Sequence, residues 1–165
     1  MTDRYQSFTD SPIGKIFVKN LGLPNPMKLD RWHDGAPLVD GTVVVGGSGR
    51  LADSATDALG DLGVGFQRAT DSPSPEGDKL KGLVFDATGL TTAGELIGLQ
   101  SFFTPLMRRL QPCARVIVLG TNPSETKSGS ERITQRALEG FTRSLGKEIG
   151  KGSTVNLVYV SPGAE

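Results

Sequence analysis

Histidine and cysteine are almost missing from these 165 residues: each occurs once, as His33 and Cys113. A single thiol excludes an internal disulfide and suits a reducing, cytoplasmic setting. One imidazole and one thiol cannot supply the four N/S ligands of a usual zinc site, so no metal is expected. A surplus of charge is absent too. The 18 Lys and Arg balance the 18 Asp and Glu, leaving no net field to gather nucleic acid or an anionic membrane. Long apolar runs are lacking: residues 42–45 and 116–119 are strand-sized, far short of the roughly 20 residues that cross a bilayer. No basic start followed by an apolar stretch opens the chain, so no signal peptide is expected. The length fits one domain that buries roughly two-thirds of its unfolded surface.

What is present is an alternation of strand and helix signals after a different first segment. Residues 1–40 are rich in Pro, Gly and Asp, with a short periodic piece over 13–21. Pro24, Pro26 and Pro37 impose extended or turn backbone. This segment reads as an arm anchored on the body, residues 41–165, by Ile16, Phe17, Leu29 and Trp32. Thr42-Val43-Val44-Val45 is a β-branched run of the kind buried on both faces of a parallel sheet. A helix follows over 51–62, a weaker strand over 64–68, and a proline-dictated loop over 71–78. Strands over 83–85, 116–119 and 155–160 alternate with helices over 91–110 and 130–149, the first expected to bend at Pro105.

Such a series predicts an α/β fold: a doubly wound parallel five-stranded sheet, Rossmann-like, with helices on both faces. About a dozen residues join Arg68 to Leu83, too few for another strand-and-helix unit, which takes roughly thirty. The flavodoxin-like order 2-1-3-4-5 is therefore the expected topology.

Gly47-Ser48-Gly49-Arg50-Leu51-Ala52 matches the loose pattern G-x-G-x-x-G/A between a strand and a helix. Two readings stay open. Backbone N–H groups of such a turn can hold a phosphate, with Arg68 at the next strand's end placed for the 2′-phosphate of NADP. The same glycines also suit a plain tight turn. Gly46, Gly47, Ser48, Gly49, Arg68 and Asp86 form the candidate cofactor-binding set. Thr121 and Ser124 offer hydroxyls beyond the fourth strand, but Ser and Thr there also serve as turn and cap residues.

The stretch from Ala137 to Ile149 resembles the long helix after the catalytic Tyr-x-x-x-Lys pair of the short-chain dehydrogenase/reductases, above all the 3-oxoacyl-acyl-carrier-protein reductases. Counting back from Gly140, the lysine and tyrosine slots hold Gln135 and Glu131. A carboxylate does not replace a phenol as proton donor at neutral pH, and a neutral amide supplies no charge to tune one. The resemblance therefore implies a scaffold without its catalytic residues. The family's stricter glycine pattern, set on Gly46-Gly47, places its last two glycines on Leu51 and Asp53, where a carboxylate would repel a pyrophosphate. Asp86-Ala87-Thr88-Gly89 stands in place of the family's Asn-Asn-Ala-Gly.

With Gly22-Leu23-Pro24-Asn25-Pro26, Gly35-Ala36-Pro37-Leu38 and Phe102-Phe103-Thr104-Pro105 added, the chain resembles the N-terminal domain of the high-molecular-weight 3-oxoacyl reductases of mycobacteria and related actinobacteria. That resemblance implies a non-catalytic scaffold and association domain, inactive alone. Its parent would reduce β-ketoacyl thioesters with NAD(P)H through a C-terminal reductase domain, the partner expected here. This chain itself would bind no cofactor. Homo-oligomer formation is expected through Ala137, Gly140, Phe141 and Ser144. The alternative is an independent nucleotide- or flavin-binding module using the loop from Gly46 to Gly49.

Overall fold

The computed structural model describes residues 4–24, 27–69 and 74–164, which fall into two compact units, Met1–Arg31 and Trp32–Glu165. In the first, α1 (Arg4–Asp10) is followed directly by α2 (Pro12–Leu21). Ser11 makes the junction. Its hydroxyl donates to the Phe8 carbonyl at 2.6 Å and accepts from Gly14 N at 3.0 Å, capping α2, while Pro12 occupies the first helical position where no N–H is needed. Gly22, at φ 62°, ends the helix in the left-handed conformation.

Ile16, Phe17, Leu29 and Trp32 are all exposed, Trp32 at 71 %. The three-four spacing over 13–21 does build an apolar stripe, but Ile13 and Leu21 stand exposed on it as well, and the helix pair buries only Thr9 and Gly14. Pro26 lies outside the described residues.

The second unit carries β1 (Thr42–Gly47), α3 (Ala52–Asp61), β2 (Phe66–Arg68), β3 (Leu80–Asp86), α4 (Ile97–Met107), β4 (Leu110–Thr121), α5 (Gly129–Ile149) and β5 (Thr154–Val160). Short 3₁₀ turns at Ala93–Leu96 and Pro123–Glu125 precede α4 and α5. All four strand pairings are parallel, in the order β2-β1-β3-β4-β5. The chain thus has the α/β, Rossmann-like architecture with the order 2-1-3-4-5. The loop expected over 71–78 is described only from Ser74, where Arg109 holds it: Nε donates to Asp78 O at 3.0 Å and Nη1 to Ser74 O at 3.2 Å.

Strand alternation divides the core. Val44, Leu83, Phe85, Val116 and Val118 face α4 and α5, meeting Leu99, Phe102, Phe103, Leu106, Leu138 and Leu145. Val43, Val45, Val64 and Val84 turn to the opposite face, where Ala55 and Leu59 of α3 pack on them. The first face is sealed by aromatics: Phe103 meets Phe102 edge-on at 4.9 Å and Phe141 at 5.2 Å. Cys113 is buried in β4.

Tyr159 ties β5 to α5. Its hydroxyl donates to the Gln135 carbonyl at 3.0 Å and lies 3.3 Å from Glu139 Oε1. Burial, then the Glu139 charge, pushes its ionisation above the ordinary 10.0. Its neutral form is thus favoured by folding, so this contribution is complete below about pH 10 and is lost as pH rises through the folded-state value. Alkaline denaturation of the wild type should show this loss above pH 10, and Tyr159→Phe should flatten it. Identical profiles would show that the contact contributes nothing.

Candidate nucleoside site at the carboxyl edge of the sheet

β1 and β3 run side by side to a common end, with Gly47 opposite Asp86. There the chain leaves β1 for α3 through Ser48, Gly49, Arg50 and Leu51. The helix N-terminus presents N–H groups that need partners, and its own cap residue, Leu51, has no side chain to offer. Asp86 of β3 fills that role. Its Oδ2 accepts from Leu51 N at 2.7 Å, and its Oδ1 accepts from Thr88 N at 3.0 Å and from the Thr88 hydroxyl at 2.6 Å. Arg50 N donates to Thr88 Oγ1 at 3.0 Å. Asp86 is 1 % exposed and Thr88 7 %, so this network lies beneath the surface.

The glycines follow from the same closeness. A Cβ on Gly47, whose φ is 89°, would overlap the Asp86 backbone, and one on Gly49 would overlap the Thr88 hydroxyl and the Asp86 carboxylate. A Cβ on Gly46 would enter the Phe102 ring. Both readings of the loop therefore have a basis: the turn is tight for internal reasons, and it also borders a cavity.

That cavity, of about 430 Å³, opens at the carboxyl ends of β1, β2 and β3. Val45, Gly46, Gly47, Ser48 and Ala52 form one side, and Arg68 with Ala69 the β2 side. Phe85, Leu90, Ile97, Gly98, Ser101 and Phe102 close it from β3 and α4, with Glu95 at the start of that wall. It lies where the chain order reverses about β1, the place where open α/β sheets bind ligands.

Among the described residues, two charged groups line it. Arg68 Nη2 donates to Asp53 Oδ1 at 2.6 Å and to Thr56 Oγ1 at 2.8 Å. Asp53 is thus a partner of Arg68, on a side chain 88 % exposed, and the carboxylate that meets the loop amides is Asp86. Glu95 Oε2 accepts from Thr91 N at 2.6 Å and Thr92 N at 3.0 Å. These backbone donors, Thr91 first, hold its ionisation below the ordinary 4.5. Sequence reasoning passed over Glu95, although Thr92-x-x-Glu95 is a legible capping-box spacing. Leu90, Ile97, Ser101 and Phe102 were also missed as lining residues, because a helical apolar pattern does not distinguish a core wall from a cavity wall.

The two slots of the family comparison hold structural groups. Glu131 Oε2 accepts from Lys127 N at 2.9 Å beside the Ser128 cap of α5. Gln135 is wholly buried: Oε1 accepts from Thr121 N at 2.8 Å, while Nε2 donates to Ala87 O at 2.8 Å and Leu90 O at 2.9 Å. It joins the ends of β3 and β4. Neither side chain is among the residues lining the cavity. Ser124 Oγ donates to Asn122 Oδ1, at a 3₁₀ turn, and Thr121 is buried. Of the interface set, Ala137, Gly140 and Ser144 are exposed, whereas Phe141 is turned in against Phe103.

No family model matches the chain, and no curated protein matches it. Solved structures do. The protein lin1944 from Listeria innocua is 16 % identical over 74 % of this chain and 78 % of its own, with a TM-score of 0.57. BdcA (YjgI) from E. coli is 14 % identical over 78 % and 86 %, at 0.53. A structure of BdcA in complex with NADPH covers 75 % and 71 % at 14 % identity and 0.47, too loose a superposition to carry an argument. These likenesses show the fold, a Rossmann-like α/β sheet. They correct the expectation of an N-terminal domain of a high-molecular-weight 3-oxoacyl reductase: the matched structures are lin1944 and BdcA, and the chain spans most of each rather than the leading part of a large reductase. The matched structures give no support to the scaffold role implied by that resemblance. Among the described residues no helix is long and apolar enough to cross a membrane.

Proposed function

We propose that this chain is a non-catalytic binding module that takes a nucleoside, free or as part of a larger ligand, in the cavity at the carboxyl ends of β1, β2 and β3. The observation that carries this reading is the cavity's place and lining together. It has the size of a small-molecule site, roughly 300–1,000 Å³, and sits at the reversal of strand order. The Phe102 ring lies against the Gly46 backbone, and Leu90 and Ile97 add apolar wall for a planar base. Arg68 and Glu95 provide one donor group and one acceptor group at the rim. A second, nicotinamide-bearing half would have to extend toward β4, where the Gln135 amide ties Thr121 to Ala87 and Leu90. No proton donor stands in the tyrosine slot, so binding without hydride chemistry is the function that fits.

The test is calorimetric titration of the full chain with adenosine, AMP and NADP. At least one should bind, and Ser101→Trp, which places an indole into the cavity from an exposed position on α4, should abolish binding with the fold unchanged. If none binds, or if the tryptophan variant binds equally well, the site is misassigned.

Self-association through α5 is a second proposal, favoured by Ile133, 68 % exposed on the same helix as the exposed Ala137, Gly140 and Ser144. A Cβ on Gly140 would meet nothing within 4 Å. Gly140→Leu should therefore raise stability by up to about 1 kcal/mol through helix propensity, while weakening self-association measured by sedimentation. A wild type that stays monomeric at high concentration would remove this proposal.

A further inference from the structure

Resting on the binding reading above, we infer that the cavity selects a neutral nucleoside over its 5′-phosphates, with Asp86 as the discriminating group. In a glycine loop that binds phosphate, the N–H groups at the helix start are open to the ligand and the helix dipole favours its charge. Here those at Arg50 and Leu51 are already used, by the Thr88 hydroxyl and the Asp86 carboxylate. The protein's own carboxylate occupies the anion position, and it is held there by three hydrogen bonds. A phosphate brought to this turn would meet a like charge and would have no free amide at these two residues to offset it.

The rest of the cavity has the same bias. Its cation, Arg68, already carries the Asp53 carboxylate, and Glu95 adds a negative charge on the α4 side. Arg68 is thus already paired with a carboxylate, and Glu95 is the other charged group of the described lining. Glu95 receives its hydrogen bonds through Oε2, so Oε1 is the acceptor for a sugar hydroxyl or an exocyclic amine. Arg68 can turn from Asp53, whose side chain is 88 % exposed, to a neutral ring nitrogen or hydroxyl without leaving a charge buried. A nucleoside uses these groups; a diphosphate places its charge against them.

Adenosine, AMP and ADP should be titrated into the full wild-type chain at low and high salt, with the amide signals of Arg50 and Leu51 followed by NMR. Affinity should fall in that order, adenosine binding at least about tenfold more tightly than ADP, because like-charge juxtaposition is strongly unfavourable. The gap should narrow at high salt, where repulsion is screened, and in Asp86→Asn. If Asp86→Asn does not fold, the wild-type ratio and its salt dependence decide alone. ADP binding as tightly as adenosine, with the Arg50 and Leu51 amides shifting, would overturn the selectivity and leave the binding module standing. Failure of all three ligands to bind would overturn both.

Discussion

Gly47→Ala is expected to lower unfolding free energy by more than about 3 kcal/mol, through backbone strain and overlap acting at one residue. The φ of 89° already disfavours any side chain. The new methyl would also overlap the carbonyl oxygen of Asp86 and lie 2.7 Å from its nitrogen. These are backbone atoms of the paired strand, so no rotamer change gives relief. The ends of β1 and β3 would have to separate, moving Asp86 away from the α3 N-terminus that it caps. Urea denaturation measures the loss directly. A cost below about 1 kcal/mol, typical of a surface change, would mean that the two strand ends are not held together as described.

The second large effect belongs to Gln135. Replacing it with leucine keeps much of the volume but strands Thr121 N and Leu90 O without their partner, while Ala87 O keeps its bond from Leu90 N at 3.1 Å. Each buried unsatisfied group costs about 1–3 kcal/mol, so Gln135→Leu should destabilise the protein by about 2 kcal/mol or more. Gln135→Lys with Glu131→Tyr, which would recreate the reductase pair, should be no better. It puts an ammonium where side-chain exposure is nil and restores no NAD(P)H-dependent reduction of acetoacetyl thioesters. Thermal denaturation and a reductase assay check both variants. A stable double variant with turnover would show that Gln135 is a modified catalytic position rather than a brace.

The sheet was legible because its strands carry local signals. Thr42-Val43-Val44-Val45 reads as buried β-structure without help, and the short span between Arg68 and Leu83 is enough to set the strand order. The sequence signal of β4 is confined to residues 116–119 for a local reason. Its first half contains Pro112 and Cys113, the latter at φ 58°, and no regular alternation survives such a break. The helix expected from residue 91 begins at Ile97 because Thr92 and Glu95 cap a 3₁₀ turn before it.

At the site, composition of the loop was readable but its partner was not. Asp53 stands beside the glycine loop in sequence, whereas Asp86 lies on the third strand, far from it along the chain. Only the pairing of Gly47 with Asp86 across two strands shows which one reaches the amides. Gln135 is similarly silent, since a buried amide within a helical pattern looks like any polar residue until its three backbone partners are seen. The family resemblance includes glycines of the loop and of α5. The loop glycines answer to packing within this fold, and Gly140 faces open space.

The most direct test of the central claim is a chemical-shift map of the full, isotopically labelled chain titrated with adenosine. Saturable shifts confined to residues 45–48, to Arg68 and Ala69, and to residues 90–102 are the expected result. Shifts elsewhere, or none at ligand concentrations in the millimolar range, would contradict the assignment of the cavity as a nucleoside site.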